Sequence, residues 1–235
     1  YFSQGNLQFQ ASTNTWRFAE HQWDYVGCQK PSLVGEVGGT PIYFEKIGGT
    51  VSGSDNSEIS PTYSGWIDLF GWGTSGWDCG NTCYHPWDTT VNDGNLYGPP
   101  GNNDLTGSYA HSDWGVHNAI SNGGNRQNYW RTLTIDEWEY LLETRTTTSG
   151  IRFAKAQVNE VGGLILLPDD WDANTYSLSN ANSDAVSAYF SDNTIAASQW
   201  TILEDAGAVF LPAAGSRTGT IILPCVPLKD LINTP

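Results

Sequence analysis

The feature that most constrains the fold is an aromatic-rich stretch, residues 63–128, that shows neither helical nor strand periodicity. Loops this long are unusual in a compact domain, and they either serve a function or hold themselves together with their own side chains. Tryptophan and tyrosine suit the second role because each buries a large area and carries a polar group. We therefore expect a loop-rich domain with much of its core made of rings. The stretch contains Trp66, Phe70, Trp72, Trp77, Tyr84, Trp87, Tyr97 and Trp114.

Charge and composition narrow the class of protein. The chain has 235 residues, with 10 Lys and Arg against 25 Asp and Glu, a formal net charge of −15. Such a chain repels phosphate backbones and anionic lipid, so nucleic acid and membrane surfaces are poor partners. No apolar run approaches the ~20 residues that span a bilayer. With 11 Trp, 11 Tyr and 26 Gly, residues 1–235 are typical of one extracellular binding domain, expected as a processed form because the sequence begins at Tyr1.

Cysteine usage leaves two readings open. Cys28, Cys79, Cys83 and Cys225 are even in number, which permits two disulfides in an oxidising compartment with three ways to pair them. Four unpaired thiols are the alternative. Zinc is disfavoured because neither a second closely spaced cysteine pair nor a histidine pair accompanies Cys79 and Cys83.

Local patterns predict a mixed set of elements. Alternating apolar residues around a turn at residues 12–14 predict an N-terminal hairpin that Tyr25 and Val26 continue. Glycine- and serine-rich flanks mark residues 28–61 as an insertion with a short strand at 41–44. A second hairpin is expected at 151–167 with its turn at 159–162. A helix follows at 198–206, capped by Ser198 with Trp200, Leu203 and Ala206 inward, and then a buried strand at 208–211.

The strongest local signal is a helix start at residue 135. Thr134 and Glu137 form a capping box, in which each side chain satisfies the backbone N–H of the other. Leu133 and Trp138 flank the cap as a hydrophobic staple, and Trp138, Leu141 and Leu142 fall on one face. The sequence therefore predicts a helix over 135–145.

Candidate binding residues come from aromatic rings beside carboxylates. Trp77, Trp87 and Trp171 each neighbour an Asp, which suits stacking on a sugar ring or burial in a protein interface, whereas Trp66, Trp72, Trp114 and Trp138 are expected in the core. Asp172 and Asn174 would bond the ligand beside Trp171. Asp169, Asp170 and Asp172 supply the hard oxygens that calcium prefers, but a strand end that becomes a turn is the favoured interpretation of these residues.

Catalytic and nucleotide motifs are weak. Residues 71–76 match the glycine fingerprint of dinucleotide-binding proteins, but no helix pattern follows them as that mechanism requires. The serine-nucleophile and zinc-protease motifs are absent from the sequence. We therefore expect a domain that binds and does not catalyse.

A set of segments resembles a known group of proteins. The run WRTLTIDEWEY at 130–140 resembles a helix of the formylglycine-generating enzyme (sulfatase-modifying factor) family, whose fold is C-type-lectin-like. The wider set is similar to surface and secreted proteins of gut Bacteroidales related to the Fibrobacter succinogenes major paralogous domain. That set is YFSQGNL at 1–7, WRFA at 16–19, GWIDLFGWG at 65–73, DWG at 113–115, ILLPDDW at 165–171 and VFLPAAG at 209–215.

The resemblance implies an α+β, C-type-lectin-like scaffold with a small twisted antiparallel sheet, two helices and long irregular loops, secreted or displayed on the cell surface. It implies an adhesin-like domain that binds glycan or protein. Calcium, which the carboxylates Asp169, Asp170 and Asp172 suggest independently of the resemblance, is the one cofactor to test. Residues 218–235 depart from the pattern. An incomplete sheet edge there would admit a strand from another copy, so a structural subunit is the alternative function. An oxidase of the formylglycine-generating type, relying on Cys225, is the third.

Overall fold

The computed structural model describes residues 1–26, 36–37, 40–41, 61–68, 75–76, 110–183, 185, 187–213, 216–218 and 221–223. Within them the fold is mixed α+β, with small sheets and few helices, as predicted at that level. The strands are β1 Leu7–Gln10, β2 Thr15–Phe18, β3 Glu36–Val37, β4 Thr40–Pro41, β5 Phe153–Val158, β6 Val161–Leu166, β7 Thr194–Ile195, β8 Val209–Pro212, β9 Ser216–Thr218 and β10 Ile221–Leu223. The helices are α1 Trp114–His117, α2 Ile135–Glu139, continued by a π-helical turn Tyr140–Thr144, and α3 Ala197–Asp205.

The predicted N-terminal hairpin is confirmed. β1 and β2 pair antiparallel from Leu7↔Phe18 to Gln10↔Thr15, and Asn14 at φ 49° closes the turn. The hairpin buries one face in a cluster of Phe9, Trp16, Phe18, Ile67 and Ile120. The expected continuation through Tyr25 and Val26 is wrong, because both are buried outside any strand; Tyr25 lies in the main core.

A four-stranded sheet in the order β7-β5-β6-β8 organises the rest of the described chain. The second predicted hairpin is its centre, with a tighter turn than expected. Asn159 and Glu160 both have positive φ, 47° and 67°, as in the two-residue turns that match strand twist. Because β7 runs parallel to β5, the sheet is mixed and not wholly antiparallel.

The two faces of this sheet are covered differently. On one face, Trp200 and Leu203 of α3 pack with Val158, Ile165 and Phe210 in the main core. On the other, Trp138, Leu141 and Leu142 pack on residues that include Phe153, Leu164 and Leu166. α3 starts one residue earlier than predicted and is capped at Ala196, whose N–H donates to Gln199 Oε1; Ser198 is not the cap, and Ala206 is exposed.

The outward side of the edge strand β8, and the part of β5 that β7 does not cover, are both occupied by other groups of the chain. Ala213 N donates to Gly162 O. Because backbone groups in an antiparallel pair point alternately toward and away from the partner strand, the nitrogens of Phe210 and Pro212 point away from β6. Gln22 Oε1 accepts from Phe210 N, and proline has no N–H to donate. β8 therefore presents no free outward donor between Val209 and Pro212.

The β5 edge is closed by asparagines. Asn182 N donates to Phe153 O, Asn193 Nδ2 donates to Lys155 O, and Gln157 N donates to Asn193 O. These contacts extend the pairing of β7 with β5 back along β5 to Phe153, so this side of β5 is covered.

Several predicted features lie largely outside the described residues. The insertion at 28–61 is described only at β3, β4 and residue 61, so the strand predicted at 41–44 is represented by Pro41 alone. The C-terminal segment 218–235 is described only at 218 and in β10. In the described part of the chain the longest α-helix, α3, has nine residues, so none there crosses a bilayer.

Candidate recognition surface

The predicted binding residues are not gathered into one site. Trp77 and Trp87 lie outside the described residues. Trp171 is only 2% exposed and belongs to the main core. Neither face of its ring is accessible to a ligand, so the prediction that it binds one is wrong. Asp172 and Asn174 are exposed but bond to each other, since Asp172 Oδ1 accepts from Asn174 N at 2.9 Å and from Asn174 Nδ2 at 2.8 Å.

The carboxylates expected to bind calcium make other contacts in this structure. Asp169 Oδ1 lies 3.1 Å from Nη1 of Arg145, so its charge is already countered. Asp172 closes a turn, and Asp170 is exposed. Among the described residues, no three His, Cys, Asp or Glu side chains come together as a metal group. The contacts of Asp172 support a turn at 169–174, and calcium binding stays a prediction. All four cysteines, Cys28, Cys79, Cys83 and Cys225, lie outside the described residues.

The tryptophans expected in the core are only partly there. Trp66, Trp114 and Trp138 are half-buried, and Trp72 lies outside the described residues. Trp66 carries the guanidinium of Arg17 3.7 Å from its ring centroid, and burial lowers the pKa of that arginine. Trp114 and Trp138 pack on separate clusters.

The structure instead exposes three large apolar side chains in one segment of chain. Tyr129 is 60% exposed, Ile135 68% and Tyr140 54%. Residues 123–144, here called the platform, carry all three. The sequence offered a signal for Tyr140, which lies on the opposite side of the helix from Trp138, but Ile135 falls near the apolar stripe and reads as buried.

Two adjacent glycines position Tyr129 and Trp130. Gly124 has φ +91°, and a Cβ placed on it would lie 3.1 Å from the Tyr129 ring. A Cβ on Gly123 would lie 2.6 Å from Trp130 Nε1, which donates to the Gly123 carbonyl at 2.7 Å. The Trp130 ring then meets Phe18 edge-on at 4.9 Å. Trp130 thus anchors the platform to the N-terminal hairpin and leaves Tyr129 outward.

A buried carboxylate fixes the next part of the platform. Asp113, 3% exposed, caps α1 by accepting from Gly115 N at 3.0 Å through Oδ1. Its Oδ2 accepts from Thr132 N at 2.8 Å. One side chain therefore joins the start of α1 to the strand-like approach to α2.

The predicted capping box is present and is reinforced by an ion pair. Thr134 N donates to Glu137 Oε2 at 2.9 Å, and Glu137 N donates to Thr134 Oγ1 at 3.3 Å. Arg131 donates to both oxygens of the same carboxylate, one from each of its terminal nitrogens. The arginine and the backbone N–H lower the pKa of Glu137 to about 2, because both favour the ionised form.

The far end of the platform is fastened by Arg145. Its side chain is 5% exposed, and Nε donates to Leu141 O at 2.8 Å while Nη2 donates to Arg152 O at 2.8 Å. In addition, Arg152 Nε donates to Leu142 O at 2.7 Å. Two of the carbonyls that a helix end leaves free, those of Leu141 and Leu142, are thereby satisfied, and the π turn is tied to the sheet.

The outward side of α2 and its π turn, here called the outer face, is acidic and apolar. Asp136, Glu139 and Glu143 are exposed between and beside Ile135 and Tyr140. Besides Arg131, the platform carries one other arginine, Arg126. Its guanidinium lies 5.8 Å from the centroid of the Tyr129 ring.

Comparison with known proteins gives no relative for this chain: no family model matches it, and neither a curated protein nor a solved structure is similar to it.

Proposed function

We propose that this protein is a non-enzymatic recognition or adhesion domain of C-type-lectin-like architecture that works outside the cell and holds a glycan or protein on its platform. The observation that carries the proposal is the exposure of Tyr129, Ile135 and Tyr140 on a segment fastened to the scaffold along its length. A contiguous exposed apolar patch is typical of an interaction surface, and the proposal takes these three side chains as parts of one such patch.

The fastening matters for affinity. Trp130, Asp113, Glu137 and Arg145 each hold the platform through buried or charge-assisted contacts. A ligand that meets prearranged side chains loses less conformational entropy on binding than one that must order a loop. Tyrosine adds contact area with few rotatable bonds.

The electrostatics of the platform favour a scaffold role over catalysis. Glu137, whose pKa is about 2, stays ionised at neutral pH and serves as an acceptor for Arg131 and for Thr134 N. A general acid or base works best with a pKa near the working pH. Glu137 therefore stabilises the platform and does not suit proton transfer.

The first alternative, assembly by strand addition, finds less support. Gln22 and Pro212 remove the outward donors of β8, and Asn182 and Asn193 occupy the edge of β5. An added strand needs free donors and acceptors at an edge. The second alternative, an oxidase of the formylglycine-generating type, relies on Cys225. If Cys225→Ser kept all of any detected oxidation of a cysteine peptide, this alternative would be excluded.

A glycan array, run with and without a calcium chelator, tests the proposed function. The Tyr129→Ala and Tyr140→Ala variants should lose captured ligand. Tyr189→Ala is the matched control, because that tyrosine is 61% exposed but lies outside the platform. Equal binding by all three variants would contradict the proposal. Intact mass with and without reductant would count the disulfides expected of an extracellular protein.

A further inference from the structure

We propose that the outer face binds a basic polypeptide segment of another protein, one that carries apolar side chains among its lysines or arginines. The proposal rests on the proposed function and names its partner class. It is carried by the exposure of Tyr140 together with unpaired carboxylates on the outer side of α2 and its π turn, and of Ile135 at the border of that side.

The inner side of the helix sets the orientation of the outer face. Trp138, Leu141 and Leu142 pack on the sheet, and Arg145 holds the last turn. Because that side is buried, the opposite side, which carries Asp136, Glu139, Tyr140 and Glu143, is held toward solvent. Ile135 lies at the border between the two sides, at the first residue of the helix, where it is also exposed. Ile135 at 68% exposure and Tyr140 at 54% leave apolar area in water that a partner would cover with a favourable change in free energy.

The carboxylates of this face have no internal counter-charge. Asp136, Glu139 and Glu143 make no ion pair among the residues that the structure describes, whereas the neighbouring Glu137 is neutralised by Arg131. Glu143 also lies in the last turn, where the helix dipole disfavours negative charge. A cation on the partner would pair with these carboxylates and would offset the unfavourable position of Glu143 at the end of the helix.

The charge of the whole chain selects among occupants. At a net charge of −15, a second copy of this chain or an acidic glycan would be repelled. A basic segment would be drawn in, and faster at low salt. Lysine and arginine fit both features, since their methylene stems cover apolar groups such as Ile135 and Tyr140 while their charged ends reach the carboxylates.

The test is fluorescence anisotropy with a labelled synthetic helix-forming peptide of lysine and leucine, and with the same peptide after lysine acetylation. We expect Ile135→Ala to weaken binding of the basic peptide about ten-fold, because an apolar contact is lost. Glu139→Lys should weaken it about five-fold or more, because an attractive charge becomes repulsive. The acetylated peptide and added salt should each reduce binding to the unmodified protein.

Two matched controls separate this face from the general acidity of the chain. Ile202→Ala removes an isoleucine of 58% exposure on α3, and Glu160→Lys reverses an exposed glutamate in the β5–β6 turn. If these controls weaken binding as much as Ile135→Ala and Glu139→Lys do, the proposal is overturned.

The outcome also distinguishes this inference from the proposed function. Tyr129- and Tyr140-dependent capture of a glycan, with no peptide affinity that depends on Ile135, would leave the proposed function standing and refute the basic partner. Peptide binding that depends on Ile135 and Glu139 supports both. No platform-dependent binding of either probe would refute both.

Discussion

The side-chain oxygen of Gln22 accepts a hydrogen bond from the backbone N–H of Phe210, which lies 188 positions further along the chain. Gln22 is buried, and its neighbours Trp23 and Tyr25 enter the main core. This one contact therefore joins the segment after the N-terminal hairpin to the last strand of the central sheet, and it closes the edge of that strand.

Replacing Gln22 tests this joint. Gln22→Ala should lower the free energy of unfolding by about 1–3 kcal/mol, because a buried N–H is left without an acceptor. Urea unfolding measures the change. Gln127→Ala, at an exposed site, should alter stability by less than about 0.5 kcal/mol. Equal stability of the two variants would show that the Phe210 N–H finds another acceptor.

Asp113 offers a second test, of the platform itself. Asp113→Asn replaces one accepting oxygen by an amide group that only donates, so either Gly115 N or Thr132 N loses its partner. We expect a loss of about 1–3 kcal/mol in the free energy of unfolding. Asp170→Asn, at an exposed turn residue, is the control. Hydrogen exchange of the Thr132 amide should rise in the first variant, and an unchanged rate would contradict this role.

Glu137 predicts how stability depends on acid. Its pKa falls from 4.5 to about 2 on folding, so between those values the unfolded chain binds more protons than the folded one. Its contribution is therefore complete above pH 4.5 and is lost as the pH falls toward 2. Glu137→Gln should flatten this part of a curve of unfolding free energy against pH. Glu139→Gln is the control, and identical acid limbs in the two variants would refute the prediction.

Gly163 predicts a packing limit in the sheet. A Cβ at this position would lie 2.4 Å from the Leu211 carbonyl oxygen and 2.4 Å from the Phe210 ring. Gly163→Ala should therefore destabilise the fold by about 1–3 kcal/mol through overpacking. Gly150→Ala meets no atom within 4 Å and bears only the strain of φ +74°, which costs about 1–2 kcal/mol. Thermal unfolding of both variants measures the two effects, and a loss below about 1 kcal/mol for Gly163→Ala would argue against the close approach.

Features with short-range causes were predictable. The capping box of Thr134 and Glu137 is present because both partners lie within one helical turn. The first hairpin forms where the alternation of Leu7, Phe9, Trp16 and Phe18 indicated. The helix ends were less predictable. Ser198 was expected to cap α3, but Gln199 accepts from the backbone N–H of Ala196 at the start of the helix.

The binding residues were not predictable in the same way. Trp171 beside acidic residues reads as a surface ring, yet it lies in the main core, because α3 and the sheet close over it. Asp169 reads as a calcium ligand, yet it faces Arg145, 24 residues away. In each case the environment is supplied by residues distant along the chain.

The sequence alone determined the α+β character, the N-terminal hairpin and the start of α2, because each depends on interactions between residues a few positions apart. Only the tertiary structure decided that Tyr129, Ile135 and Tyr140 face water, that Trp171 does not, and that Gln22 closes the edge of β8. Exposure and edge closure depend on which distant segments pack together to bury apolar area and pair polar groups, and no short stretch of sequence contains both partners of such a contact.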